Sequence, residues 1–259
     1  MQKEYVHTGK CIWCGKEKTE VVFHARPHVF PHSLGSEEIG FDVCDDCNHY
    51  FGKAPKAGVP AIDTSFKEIF GSYRFFLSHL DENSYKKFHS AFFTYHHSIH
   101  TIRIKSNFNE LTITRQYKRS LYEMFLQKYH VETKNGNHPM FDAVRKYARY
   151  GVGDLCVFYA FNNVVLVEKD MEHPHISMTE KVISDMMEYG VYSFWMFGQL
   201  FYLEVFPVAF NTKGRSFLQA EAQKVLLPAV GNERILELKN IMQADFFLQR
   251  FNNDRGEYE

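Results

Sequence analysis

Four of the chain's five cysteines stand in two Cys-x-x-Cys pairs, Cys11/Cys14 and Cys44/Cys47, within the first fifth of 259 residues. Each pair offers two thiolates from one tight turn, and two pairs can wrap a single tetrahedral Zn²⁺. In a reducing compartment such pairs favour metal over disulfide. With all four positions filled by protein no place is left for water, so the predicted zinc is structural. The segment needs it. Residues 1 to about 56 are rich in Cys, His and turn residues and poor in apolar periodicity, so bound metal has to contribute the folding free energy that a core would otherwise provide. Cys156, in the apolar run Leu155–Tyr159, reads as an inert buried thiol.

The rest of the composition narrows the function classes only slightly. No run of eighteen apolar residues occurs, so no membrane span is expected. The opening Met1–Tyr5 has no apolar run behind it, which argues against a secretory signal and for the cytoplasm. The formal net charge is −1, so any contact with nucleic acid has to come from a local patch. Aromatic residues make up 16% of the chain, which predicts a core filled by rings.

The stretch Gly52–Pro60, with two glycines and two prolines, reads as a linker between a unit at residues 1–56 and a larger one at residues 61–259. In the latter, helices are predicted from Asp63-Thr64 as cap, over Ser84–Tyr95, from Thr114 to about Tyr129, over Phe141–Tyr150, and over Asn232–Phe251. Alternation predicts a hairpin in His100–Thr114 around Asn107–Asn109. It also predicts strands at Leu155–Phe161 and Val164–Glu168, and a second hairpin from Tyr192–Phe197 and Leu200–Phe206. Strands and helices come mixed rather than in strict alternation, so the fold class is α+β.

Between the cysteine pairs lies Arg26-Pro27-His28-Val29-Phe30-Pro31-His32-Ser33-Leu34-Gly35, and the second pair is followed at once by Asn48-His49-Tyr50-Phe51-Gly52. The order Cys-x-x-Cys, His-Val-x-Pro-x-Ser-Leu-Gly, Cys-x-x-Cys-Asn over residues 11–52 resembles the zinc-bearing branch of the HNH endonuclease family. The resemblance implies a zinc-stabilised ββα finger, with His28 at the end of the first strand and Asn48 on a short helix beginning near Asp45. It implies that His28 is the general base that deprotonates water for attack on a phosphodiester. Asn48 would then be a ligand of a divalent ion, usually Mg²⁺. Imidazole suits such a base because its unperturbed pKa is about 6.5.

Two positions depart from the family pattern. Pro27 stands where many relatives carry an acid, and Ile39 stands near the place of the middle Asn. The ion's carboxylate must then come from Asp42, Asp45, Asp46, the distant Asp63, or the DNA. Arg26 and His32 are candidate phosphate contacts. So is the stripe Arg115, Lys118 and Arg119, spaced i, i+3, i+4 on the helix predicted from Thr114. Tyr117–Tyr122 and Phe141–Arg145 also resemble the C-terminal region of the same bacterial family. The implied activity is a metal-dependent endonuclease acting on nucleic acid, DNA first, in a setting such as phage defence or a mobile element. A homodimer or a defence-system partner protein is left open. The competing class is a non-catalytic zinc finger that only binds nucleic acid or protein, with Pro27 and Ile39 marking lost chemistry.

Overall fold

The computed structural model describes residues 3–79, 82–161, 176–196, 199–225 and 234–244. Within them the architecture is α+β and is built around one long helix. We number helices and strands in chain order: α1 (Asp45–Gly52), α2 (Ile62–Ser78), α3 (Glu82–Tyr85), β1 (Phe93–His96), β2 (Thr101–Ile104), α4 (Glu110–Thr133) and α5 (Asp142–Tyr150). There follow β3 (Val157–Phe161), α6 (Glu180–Tyr189), β4 (Val191–Met196), β5 (Gln199–Glu204), α7 (Pro207–Ala209), α8 (Arg215–Ala222), β6 (Leu236–Glu237) and α9 (Ile241–Ala244). A π turn at Phe210–Gly214 joins α7 to α8.

Helix α4 is the axis. Asn109 lies extended ahead of its first turn and accepts a hydrogen bond from the Thr112 amide at 3.1 Å. At the other end Lys134 adopts the left-handed region and returns its amide to His130 O. Both ends therefore satisfy groups that a helix otherwise leaves orphaned. The predicted cap, Thr114, sits one turn inside instead, where its hydroxyl donates to Glu110 O and accepts the Ile241 amide. Every residue from Ile113 to His130 except Arg115 is buried. A helix buried all round has neighbours on every side, and α2, α5, α9 and the large sheet provide them.

Helix α2 starts at Ile62 with Ala61 rather than Asp63 in the cap position, and it buries Phe66, Ile69, Phe70, Tyr73 and Phe76. The helix predicted over Ser84–Tyr95 shrinks to α3, because Phe93 and Tyr95 alternate with half-buried neighbours, a period of two. The hairpin predicted at residues 100–114 lies earlier, with Phe93 opposite Ile104 and His96 opposite Thr101. His100, at φ +50°, makes the turn.

The main sheet is antiparallel in the order β4-β5-β3-β6. The predicted hairpin of residues 192–206 is present as β4 and β5, with Val191 opposite Glu204 and Met196 opposite Gln199. The strand predicted at Val164–Glu168 falls outside the described residues. In place of a helix from Asn232, residues 236–237 form the edge strand β6 and α9 begins at Ile241, while residues 245–251 lie outside the description.

One apolar cluster runs from Cys11 through Phe30, Phe51, Phe66 and Phe125 to Ile241, so the core is continuous across residues 57–60. Rings fill it, as the composition predicts. Among the described residues no helix is long and apolar enough to cross a membrane.

Candidate metal centre and active-site pocket

The first thiol pair sits in a tight turn closed by the Gly15 amide on Cys11 O and the Cys11 amide on Lys16 O, with Gly15 at φ +73°. The second pair begins α1. Cys44 precedes its first residue and Cys47 lies in its first turn. All four Sγ atoms fall within 4.8 Å of one another, and Cys14 Sγ to Cys44 Sγ is 3.7 Å. A Zn–S length near 2.3 Å in a tetrahedron requires sulfurs about 3.8 Å apart, so the donor set fits zinc. Among the described residues this is the one cluster of three or more ligating side chains that converges so closely. The Arg149 guanidinium, reaching over from α5, donates from Nε to Cys47 Sγ at 3.4 Å and stacks on the Tyr50 ring at 3.6 Å.

The segment between the pairs folds back on itself. His28 bridges Ile39, the Val29 amide donates to Glu38 O, and the Gly40 amide donates to Pro27 O. Ile39 is thus the cross-strand partner of His28, and Pro27 holds the return strand through its carbonyl. The short 3₁₀ turn His32–Leu34 is fixed by buried Leu34 and by Arg74 Nη1 donating to Leu34 O at 2.8 Å.

A pocket of about 230 Å³ opens where this hairpin meets α1, α2 and α4. Arg26, His28, His32, Asn48, Asp63 and Glu123 contribute its polar lining, with Phe66 and Met124 among its apolar walls. Among the described residues His28 Nε2, which is shut off from solvent, has no hydrogen-bond partner. Burial, and then the nearby Arg26 and His32, hold the His28 pKa below its ordinary value, which favours the neutral imidazole. Arg26 and His32 are exposed, at the rim.

The four carboxylates considered from sequence separate clearly. Asp42 is fully buried and accepts from the His7, Thr8 and Gly9 amides, the Thr8 hydroxyl and His130 Nε2. Burial pushes its carboxyl up, but the hydrogen bonds outweigh that and hold it at about 2. Asp45 clamps the His24 and Ala25 amides. Asp46 is exposed and outside the pocket. Only Asp63 enters the pocket, beside Glu123 of α4. Burial raises the Asp63 carboxyl to about 6 against the opposing hydrogen bond from Glu123. Burial, and then the Asp63 charge, raise Glu123 further. Gln127 Nε2 donates to Glu123 Oε1 at 3.1 Å.

Residues 11–57 match the HNH endonuclease family. No curated protein and no solved structure matches the chain. The HNH segment therefore holds the four thiols, His28 and Asn48, whereas Asp63 and Glu123 come from beyond it.

The cationic stripe on α4 is not an exposed face. Arg119 is buried and donates to Ala148 O, Gln116 Oε1 and the Tyr50 hydroxyl. Lys118 is buried and pairs with Asp154 at 2.9 Å. Arg115 is exposed, yet its Nη2 donates to Gly151 O and Gly153 O. The spacing is as read, but α4 is central, so this side meets α5 and residues 148–154 rather than solvent. Glu123 escaped sequence reasoning for the same reason: in a helix buried all round, no polar face marks which acid is special. Its one signal is its place between Tyr122 and Met124, inside the Leu121–Phe125 apolar run.

Proposed function

We propose that this chain is a metal-dependent endonuclease that hydrolyses phosphodiester bonds, with DNA as the favoured substrate. The observation that carries the reading is His28, which lines one pocket with Asn48 and whose Nε2 has no partner among the described residues. A buried imidazole nitrogen without a partner forfeits a hydrogen bond worth about 1 kcal/mol or more, a cost that persists where the group has a task. A neutral imidazole is ready to accept the proton of a water attacking phosphorus. Asn48 would help hold a divalent ion such as Mg²⁺, which supplies positive charge against the phosphate and the leaving oxygen. Arg26 and His32 at the rim would meet the neighbouring phosphates. The four cysteines would hold a structural zinc that fixes α1 against the first turn.

The test is plasmid nicking with Mg²⁺, Mn²⁺ or Ni²⁺, comparing the wild type with His28→Ala at matched zinc content. Cleavage by the wild type and its loss in the variant are expected. Equal cleavage by both would remove His28 as the base. No cleavage with any of these ions would favour a nucleic-acid- or protein-binding finger, the reading that Pro27 and Ile39 recommend. A cytoplasmic defence or mobile-element setting belongs to the same proposal, and cleavage of phage DNA in expressing cells is its assay.

A further inference from the structure

Helix α1 carries Asn48 and Gly52 one turn apart, so the two share a face. A Cβ built on Gly52 would lie 3.5 Å from Asp63 Oδ2. The Asp63 carboxylate therefore rests against the same face of α1 that presents Asn48, and both side chains line the pocket that holds the unpartnered His28 Nε2. Behind Asp63 stands Glu123, kept in place by Gln127. Two carboxyls packed together cannot both ionise freely, so they share either a proton or a cation.

We propose that Asp63, backed by Glu123, is the carboxylate ligand of the divalent ion that Asn48 helps to hold. The helices beyond the HNH segment thereby complete its cation site. The inference rests on reading this pocket as the nuclease centre and says what that centre lacks in its own segment. His28, Asp63 and Glu123 do not converge as tightly as the four cysteines do. A hard ion such as Mg²⁺ keeps several waters and takes only one or two protein carboxylates, so it does not require three converging side chains. A pocket of about 230 Å³ leaves room for those waters at roughly 30 Å³ each.

The test titrates Mn²⁺ into the zinc-loaded full chain and follows free Mn²⁺ by electron paramagnetic resonance. Zinc content and thermal melting establish that each variant is folded. The wild type should bind one Mn²⁺. Asp63→Asn should weaken that binding about tenfold or more, and Glu123→Gln by a smaller factor. Asp46→Asn, which alters an exposed acid outside the pocket, should bind as the wild type does. His28→Ala should still bind Mn²⁺ while failing to nick DNA. Wild-type affinity in folded Asp63→Asn would overturn the proposal, as would the absence of any Mn²⁺ binding by the wild type. Asp63-dependent binding in a protein that cuts nothing would sustain the cation site and remove the nuclease reading. Cleavage indifferent to Asp63→Asn, with unchanged Mn²⁺ affinity, would do the reverse.

Discussion

His130 Nε2 donates to Asp42 Oδ2 at 2.8 Å, and both side chains are fully buried although 88 residues separate them. The other ring nitrogen accepts the Gly136 amide, which fixes the neutral tautomer with its proton on Nε2. Asp42 in turn collects the Thr8 and Gly9 amides, so this single imidazole fastens α4 to the segment ahead of the first cysteine pair. His130→Ala takes one of five donors from a buried carboxylate and leaves a cavity. It should cost about 3 kcal/mol in denaturant unfolding. A double-mutant cycle with Asp42→Asn should return a coupling above about 1 kcal/mol.

Arg149 bears on the metal. Four thiolates around one Zn²⁺ carry excess negative charge, and the Arg149 guanidinium donates into it at Cys47 Sγ. Removing such an outer hydrogen bond typically weakens metal binding by about 10- to 100-fold. Arg149→Ala should therefore release zinc to a chromogenic chelator about tenfold faster than the wild type, with Arg149→Lys in between. Equal release rates would show that the contact does nothing for the ion. Cys47→Ser should lower the bound zinc well below one per chain.

The acid limb of cleavage should report His28 together with the Asp63 carboxyl, which burial raises to about 6. The His28 pKa is lowered, so the neutral form that accepts a proton persists below the ordinary value of about 6.5. As pH falls, kcat/KM should stay level through neutrality and drop with a midpoint under about 6.5, the limb belonging to the free enzyme. A midpoint well above that value would mean that another group titrates.

Arg26 and Arg119 should behave oppositely. Arg26→Ala at the exposed rim should weaken DNA binding and reduce the salt slope by about 1, with stability unchanged. Arg119→Ala removes a buried guanidinium with four protein acceptors on α1, α4 and α5. It should cost about 3 kcal/mol in unfolding and leave the salt slope alone. Fluorescence anisotropy at several salt concentrations, beside chemical unfolding, measures both.

The thiol pairs were legible because a metal demands fixed ligands at short range, and α5 and the β4–β5 hairpin because local periodicity and turns decide them. The hairpin at Phe93–Ile104 was misplaced because the apolar alternation of 102–113 runs on into the first turn of α4. Lys118 and Arg119 look like a solvated stripe in one dimension. They are buried because α5 folds over them, a long-range fact that local spacing does not carry. Asp63 was one acid among four. Its distinction is its distance from Gly52, which only the packing of α2 on α1 creates.

The shared pocket bears on recombination. Residues 1–56 grafted onto a foreign scaffold would carry the sulfurs, the imidazole and the amide, but would leave behind Phe66, Ser120, Glu123 and Met124, which enclose the cavity. A transplanted finger would open that cavity to bulk water, with no back wall to hold a phosphate in register. A graft that keeps the cavity closed would have to include α2 and α4.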